Sequence, residues 1–309
     1  MTDLLTAICA ARSQVTMRKE LSYTIEKKDD GLMVKAVLSK RLHLSRREIS
    51  RLKFSDGLLL NDTPCRVTET VHTGDVIHLI FMEKDIAHAV RLSGKPDILY
   101  EDEDIVVVNK PAGMPCHPSH EHLDDDMGTL LQNYYKDQFT IRAIGRLDKD
   151  VSGIMLYAKN QPSAARLSKQ RQAGKLNKYY LAICSGHFEK KSGTLQYALE
   201  KRAGHKERIV SGNGQMCITE YRVVEESDVC SLLQVHIITG RTHQIRAGMA
   251  WTNHPLVGDK LYGGDMTKLH RPALHCAVLD LEQPFTGKPI HVECPLPEEM
   301  EGIMKKSVQ

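Results

Sequence analysis

From Val34 onward apolar positions recur at helical spacing, with Val37, Leu38 and Leu42 falling on one face. Ser45 and Glu48 then form a capping-box pair, which predicts a second short helix running through Leu52. Asp56-Gly57 marks a turn, 58–60 a short strand, Asn61-Asp62-Thr63-Pro64 another turn, and 76–81 a further strand after Gly74-Asp75. Residues 31–82 therefore read as a small α+β module. Residues 1–30 carry no clear period and mixed charge, and are expected to be a loosely packed extension. The polar stretch 83–97, with Gly94 and Pro96, reads as a linker. Strands dominate beyond it: 98–100 and 105–109 flank an acidic turn, and 154–158, 179–184, 194–199, 218–224 and 232–238 follow. Helical stretches interrupt them near 127–137, 162–174 and 244–252. The expected division is a second domain over 98–298 and a tail over 299–309.

Composition fits that outline: 309 residues, 41% hydrophobic and 26% charged, match a globular chain of one large and one small domain and exclude a disordered one. A formal charge of +3 is too small to announce a nucleic-acid partner, so the placement of the basic residues matters. Seven Lys or Arg against one acid, Glu48, lie in 35–53, and five with no acid lie in 166–178. Solvated helix faces would account for either cluster alone. Eight cysteines are scattered without a Cys-x-x-Cys pair, and the apolar stretch near 4–11 lacks a basic leader, which points to reduced thiols in a cytoplasm. No run approaches the roughly 20 apolar residues needed to span a bilayer, so no membrane partner is expected.

The segment Gly145-Arg146-Leu147-Asp148-Lys149-Asp150-Val151-Ser152-Gly153 places a charged loop directly before an apolar strand. A carboxylate held there by a rigid strand suits acid–base or covalent chemistry. The plainer reading is that Asp148 and Asp150 make turn hydrogen bonds. His117, His120, Glu121, His122 and the 124–126 acidic run have metal-ligand residue types without ligand spacing, so a loop and no metal are expected. Thr239-Gly240-Arg241 ahead of a helix suits a phosphate, although a Thr cap and a Gly turn explain it as well. No cofactor is implied.

The 145–159 segment resembles the His-Arg-Leu-Asp-x-x-Thr-Ser-Gly-Leu-Leu-Leu-x-Ala-Lys signature of RluA-type pseudouridine synthases. Three further blocks agree in the same order. Asn109-Lys110-Pro111-Ala112-Gly113-Met114-Pro115-Cys116-His117-Pro118 resembles the family's Lys-Pro block, and Lys178-Tyr179-Tyr180-Leu181-Ala182 its Lys-x-Tyr-x-Ala strand. Thr239-Gly240-Arg241-Thr242-His243-Gln244-Ile245-Arg246, with the sequel His254 to Gly263, resembles its Thr-Gly-Arg-Thr-His-Gln-Ile-Arg segment. Residues 31–82 resemble, more loosely, the αL-type RNA-binding domain often fused ahead of it.

The resemblance implies an α+β protein whose pseudouridine synthase fold is a mixed, largely antiparallel sheet with flanking helices and a central cleft, preceded by a small α+β RNA-binding domain. It implies a cofactor-independent, metal-free, monomeric enzyme that isomerises uridine in structured RNA, large-subunit rRNA first and tRNA next. Asp148 matches the indispensable aspartate, Arg246 the arginine that pairs with it, and Tyr180 the tyrosine against the uracil ring. A carboxylate in a dry pocket is costly to keep ionised, and a guanidinium beside it offsets that cost. Arg146 matches the residue associated with swinging the base out, and Arg241, His243 and Lys178 are substrate-binding candidates. Arg46, Arg47, Arg51 and Lys53, with Lys201 and Arg202 in a basic loop also holding Lys206 and Arg208, are candidates for gripping phosphates.

The match departs from the signature at Gly145 in place of His, Val151 in place of Thr, and Gly248 where the block usually carries His. Two rival readings stand beside the enzyme. One is a catalytically inactive RNA-binding or ribosome-assembly factor of the same fold. The other is a carboxylate-dependent hydrolase, for which Asp150 is the nearby second carboxylate.

Overall fold

The structure, a computed structural model, describes residues 17–44, 46–54, 57–83, 94–117, 125–136, 138–201, 204–205 and 207–305. A smaller antiparallel sheet contains β1 (Met17–Thr24), β2 (Leu58–Leu60), β3 (Thr63–Pro64) and β4 (Val76–Glu83), in the order β1-β4-β2-β3. Helices α1 (Val34–Lys40) and α2 (Arg46–Phe54) supply Val34, Val37, Leu38 and Leu52 to a core shared with Leu58, Ile77 and Leu79.

Strand β1 corrects the expectation of a loose extension over 1–30: it pairs along its whole length with β4, from Met17 opposite Glu83 to Thr24 opposite Val76. Leu21 and Tyr23 turn toward the small core while Ser22 and Thr24 are exposed. That alternation is too short to stand out in the sequence. In the turn expected over 61–64, Asn61 and Asp62 bend the chain, while Thr63 and Pro64 already pair with Leu60 and Leu59.

The larger sheet contains β5 (Ile98–Glu101), β6 (Ile105–Lys110), β7 (Arg142–Ala143), β8 (Ser152–Ala158), β9 (Asn177–Ser185) and β10 (Ser192–Lys201). It continues with β11 (Arg208–Val210), β12 (Gln215–Glu226), β13 (Cys230–Ile237), β14 (Leu274–Glu282) and β15 (Pro289–Glu293). The strand order is β11-β10-β12-β13-β9-β14-β8-β6-β5, with β15 on β14 and β7 on β8. Neighbours run antiparallel except β14 and β8, which run parallel. Flanking helices are α3 (Met127–Tyr134), α4 (Gln161–Gln172), α5 (Gln244–Trp251) and α6 (Glu298–Met304). This is the mixed, largely antiparallel α+β architecture that the sequence motifs imply.

Most of β14 is buried, so its sequence lacks the alternation that betrays a strand. The expected tail contains α6, whose Met300, Ile303 and Met304 lie at i, i+3 and i+4 and close over Ile183, Leu232 and Val257. At the other end, Pro96 is buried and the Asp97 carbonyl accepts the Asn109 N–H at 2.9 Å, so residues 94–97 belong to the large unit rather than a linker. Among the described residues, no helix is long and apolar enough to cross a membrane.

The close approach of β14 to β8 depends on one residue. Gly153 has φ +104°, and a Cβ there would lie 2.3 Å from the Cys276 carbonyl oxygen. The parallel pairing of Ser152 and Gly153 with His275 and Cys276 fixes where the preceding loop, with Asp148, emerges.

Candidate active site

Asp148 is bracketed by backbone anchors. On one side the Leu147 N–H donates to Cys116 Sγ at 3.2 Å, and the thiol donates to the Leu147 carbonyl at 3.1 Å. The Tyr157 hydroxyl holds the Cys116 carbonyl at 2.8 Å. On the other side the buried Lys110 Nζ donates to the Lys149 carbonyl at 2.9 Å. The Val151 N–H closes the turn on the Asp148 carbonyl at 3.1 Å. Gly145, one of the departures from the family pattern, has φ +78°, which a histidine would adopt only with strain.

The facing wall is the 239–246 segment and the start of α5. Gln244 is buried there and ties the segment to β12. Its Oε1 accepts from Thr239 Oγ1 (2.9 Å) and the Arg241 N–H (3.0 Å), and its Nε2 donates to the Ile218 carbonyl and Thr219 Oγ1, both at 3.0 Å. His243, just ahead of the helix, has φ +58°, a left-handed conformation that a non-glycine residue keeps only where its surroundings enforce it.

Arg246 joins the walls. Its Nε and Nη2 donate to both oxygens of the buried Asp259 at 2.7 and 2.8 Å, and its Nη1 donates to Asp148 Oδ2 at 3.2 Å. Burial alone would favour discharging the guanidinium, but Asp259 and then Asp148 outweigh it and raise its pKa. The planar fork is thus aimed at Asp148 by a bidentate partner.

His243 Nε2 lies 3.7 Å from Asp148 Oδ2, and its Nδ1 meets the Tyr262 hydroxyl at 3.0 Å. The Tyr262 oxygen also accepts the Arg208 N–H at 2.7 Å, and its own hydrogen is available to His243 Nδ1 when that nitrogen is unprotonated. In that tautomer the neutral ring carries its proton on Nε2, facing Asp148. Burial first, opposed by Asp148 and reinforced by Arg246 and Arg208, lowers the His243 pKa and favours that neutral form.

These groups line an open cavity of about 530 Å³. Lys149, Lys201, Arg208, Lys260 and Arg271 make its wall strongly basic, with His205 and His270 beside them. Of the sequence-expected residues, Asp148, His243, Arg246 and Lys201 meet there. Arg146 is not among the lining residues; it links the Asp148 loop to the facing segment, its Nη2 donating to Thr242 Oγ1 at 2.6 Å.

Three more expected residues stand outside the cavity lining as well. Tyr180 is buried, bonded to the Cys276 thiol; burial first, then Cys276 and Asp148, push its phenol well up in pKa. Lys178 leans over the β8 carbonyl of Ile154 at 3.4 Å, and the Arg241 side chain is exposed outside the pocket.

In the 166–178 basic cluster, Arg166 Nη2 donates to the Leu42 carbonyl at 3.0 Å and Lys169 donates to the His43 carbonyl. Those two cations dock α4 on the small module and are not free for phosphate. Lys53 is exposed on α2, whereas the side chains of Arg46, Arg47 and Arg51, and all of Arg202 and Lys206, lie outside the described residues. So does 118–124; among the described residues no cluster fit to hold a metal ion occurs, and Asp126 caps α3 by accepting from the Thr129 N–H and hydroxyl. Asp259, Tyr262, Gln244 and Lys110 were passed over as site residues, although all four stand inside the quoted motifs.

The other departures have local reasons. Val151 is buried, where a threonine hydroxyl would need a partner. At Gly248 a Cβ would lie 2.2 Å from the hydroxyl of Tyr197, which fills that space and donates to the Gln244 carbonyl at 2.7 Å.

Comparison with known proteins agrees with the geometry. A family model described as RNA pseudouridylate synthase matches residues 104–251, and one described as the RluD ribosomal pseudouridine synthase N-terminal domain matches 21–77. An uncharacterized RNA pseudouridine synthase of Bacillus subtilis is 31% identical over 92% of this chain and 96% of its own. The ribosomal large subunit pseudouridine synthase D of Escherichia coli K12 is 30% identical over 94% of this chain and 95% of its own. Among solved structures, human RNA pseudouridylate synthase domain containing 1 superposes with a TM-score of 0.54 at 25% identity, covering 65% of this chain and 83% of that one.

Proposed function

The chain belongs to the RNA pseudouridylate synthase family, and on that premise we propose that Asp148 is the carboxylate on which it isomerises uridine, with large-subunit rRNA as the first substrate and tRNA as the second. The observation that carries this reading is the chain of contacts Asp259–Arg246–Asp148: a buried acid aims a guanidinium at a half-exposed carboxylate on a cavity wall. The rRNA choice is supported by relatives named as large-subunit enzymes and by the match of the small module to their N-terminal domain. The division of labour follows: the module over 17–83 holds RNA, and the unit over 94–305 carries out the reaction, as a cytoplasmic monomer without cofactor or metal.

The carboxylate serves two routes equally well. It adds to the ribose anomeric carbon as N1 departs, or it removes the 2′ proton to leave a glycal. In both, the N1–C1′ bond breaks and the uracil turns; carbon 5 then bonds to C1′ as it displaces the Asp148 ester or, in the glycal route, as Asp148 returns the proton to C2′, and the carbon 5 proton leaves while N1 gains one. Arg246 balances the charge of Asp148, and the Nε2–H of His243 offers a donor to the carboxylate or to a uracil carbonyl. Tyr180, buried near Asp148, is the residue set against the uracil ring. Arg146 leaves Thr242 to occupy the space of the extruded base, and the basic wall takes the flanking phosphates.

The test uses RNA tritiated at uridine carbon 5, with large-subunit rRNA, small-subunit rRNA and tRNA from a pseudouridine-deficient strain assayed separately. Wild type should release tritium to water from the first, and Asp148→Asn should release none. Silence of wild type on every RNA, with binding intact, would instead favour the inactive RNA-binding factor.

A further inference from the structure

Lys110 ends β6 with its side chain fully buried, beneath the loop that carries Asp148. Its Nζ makes three hydrogen bonds to carbonyl oxygens: Pro111 at 2.8 Å, Met114 at 2.7 Å and Lys149 at 2.9 Å. An ammonium has three hydrogens, and all are used. The three carbonyls come from two chain segments that share no strand pairing at this point, so the ammonium acts as a built-in cation clamping the 111–114 turn to the residue after Asp148. With Cys116 holding Leu147, the backbone is fixed on both sides of the carboxylate.

We propose that Lys110 is a positioning residue for the reaction, holding Asp148 in register with Arg246 without touching substrate; this rests on the reading of Asp148 given above. A neutral amine cannot do the same work, since it has two hydrogens and turns a lone pair toward the third carbonyl. The titratable groups facing Lys110 are Cys116, Asp150, Arg271 and Asp148. Burial dominates among these influences and pushes the amine down to about 8, against the opposing pull of Cys116 and Asp150. Loss of the clamp therefore falls within a pH range in which the enzyme can be assayed.

Single-turnover tritium release with saturating RNA, at pH 7 to 9, tests the proposal on wild type, Lys110→Met and Lys110→Arg, with RNA affinity and thermal midpoint recorded for each. Lys110→Met should release tritium on the order of 10²-fold more slowly at pH 7, as a loosened catalytic group does, with RNA affinity within about threefold by the same reasoning. Wild-type release should fall as pH rises through about 8, and that fall should be absent from Lys110→Met. A Lys110→Met rate within threefold of wild type, or the same alkaline fall in both, overturns the proposal. If Lys110→Met does not fold, wild type and Lys110→Arg decide it: a flat wild-type profile overturns it, and a wild-type fall that Lys110→Arg lacks supports it. A wild type that releases no tritium overturns the reading of Asp148 and this proposal with it, whereas an active wild type with an equally active Lys110→Met overturns this proposal alone.

Discussion

Adding one methyl group at Gly248 should damage this protein, although alanine is the better helix former. In α5 the new Cβ would lie 2.2 Å from Tyr197 Oη and 2.5 Å from its Cζ. The ring cannot swing aside freely: Tyr197 is 4% exposed, its hydroxyl donates to the Gln244 carbonyl at 2.7 Å, and it meets Thr219 Oγ1 at 3.1 Å. Forcing extra atoms into a packed core costs about 1–3 kcal/mol, and a buried tyrosine hydroxyl pushed off its partners costs about 1–3 kcal/mol more. The gain in helix propensity returns only about 1 kcal/mol. A net loss of about 1–5 kcal/mol follows, which for a domain of this size lowers the thermal midpoint by roughly 2–20 °C. Thermal unfolding of Gly248→Ala, Tyr197→Ala and the double variant reads this directly. In the Tyr197→Ala background the clash is gone, and the second substitution should cost nothing or stabilise slightly. Equal cost in both backgrounds, or a Gly248→Ala protein as stable as wild type, would refute the argument that Tyr197 occupies the room vacated at 248.

Asp259→Asn replaces one of the two oxygens facing Arg246 by an amide nitrogen and should slow tritium release at least tenfold, about 1.4 kcal/mol in barrier, with RNA affinity nearly unchanged; an unaltered single-turnover rate would mean that something else aims the guanidinium. His275 is buried beside Ser152, and burial pushes its imidazole down to about 4. Between that value and the ordinary one near 6.5 the unfolded chain binds a proton the folded one refuses, so stability is lost as pH falls through this window, by about 2–4 kcal/mol in all. Urea midpoints of wild type and His275→Gln between pH 7 and 4.5 should converge as the pH drops, and parallel curves would remove His275 as the cause.

Much of the site was legible in the sequence because its chemistry is written in contiguous blocks. Asp148 in its loop, and His243 and Arg246 one helical turn apart, line facing walls of one cavity. What was not legible depends on the third dimension. Asp259 reaches Arg246 from a loop 13 residues away, and although it stands inside a quoted motif, its residue type and Gly-Asp setting alone suit a turn aspartate equally well. Tyr180 stands on the expected strand, buried beside Cys276 and near Asp148, and strand phase alone does not tell a residue facing a ligand from one facing the core. The basic run over 166–178 resembled a phosphate grip because the carbonyls of Leu42 and His43 that it meets are far away in sequence. Strand β1 and the strand β14 were missed for opposite reasons, the first showing too short an alternation and the second being buried too completely to alternate.

Strand β14 has a consequence for the order in which the molecule can be assembled. It stands between β9 and β8, and it is made of residues 274–282. While a ribosome is still short of residue 274, the β5-β6-β8 group and the β9-β13-β12-β10 group exist as separate half-sheets with open apolar edges. Such edges are sticky, and pairing across long sequence separations is slow. Asp148 belongs to one half and Arg246 to the other, so the ion pair between them forms only once a strand translated after both has closed the seam. Growing chains halted in that interval would be the form of this protein most in need of a chaperone.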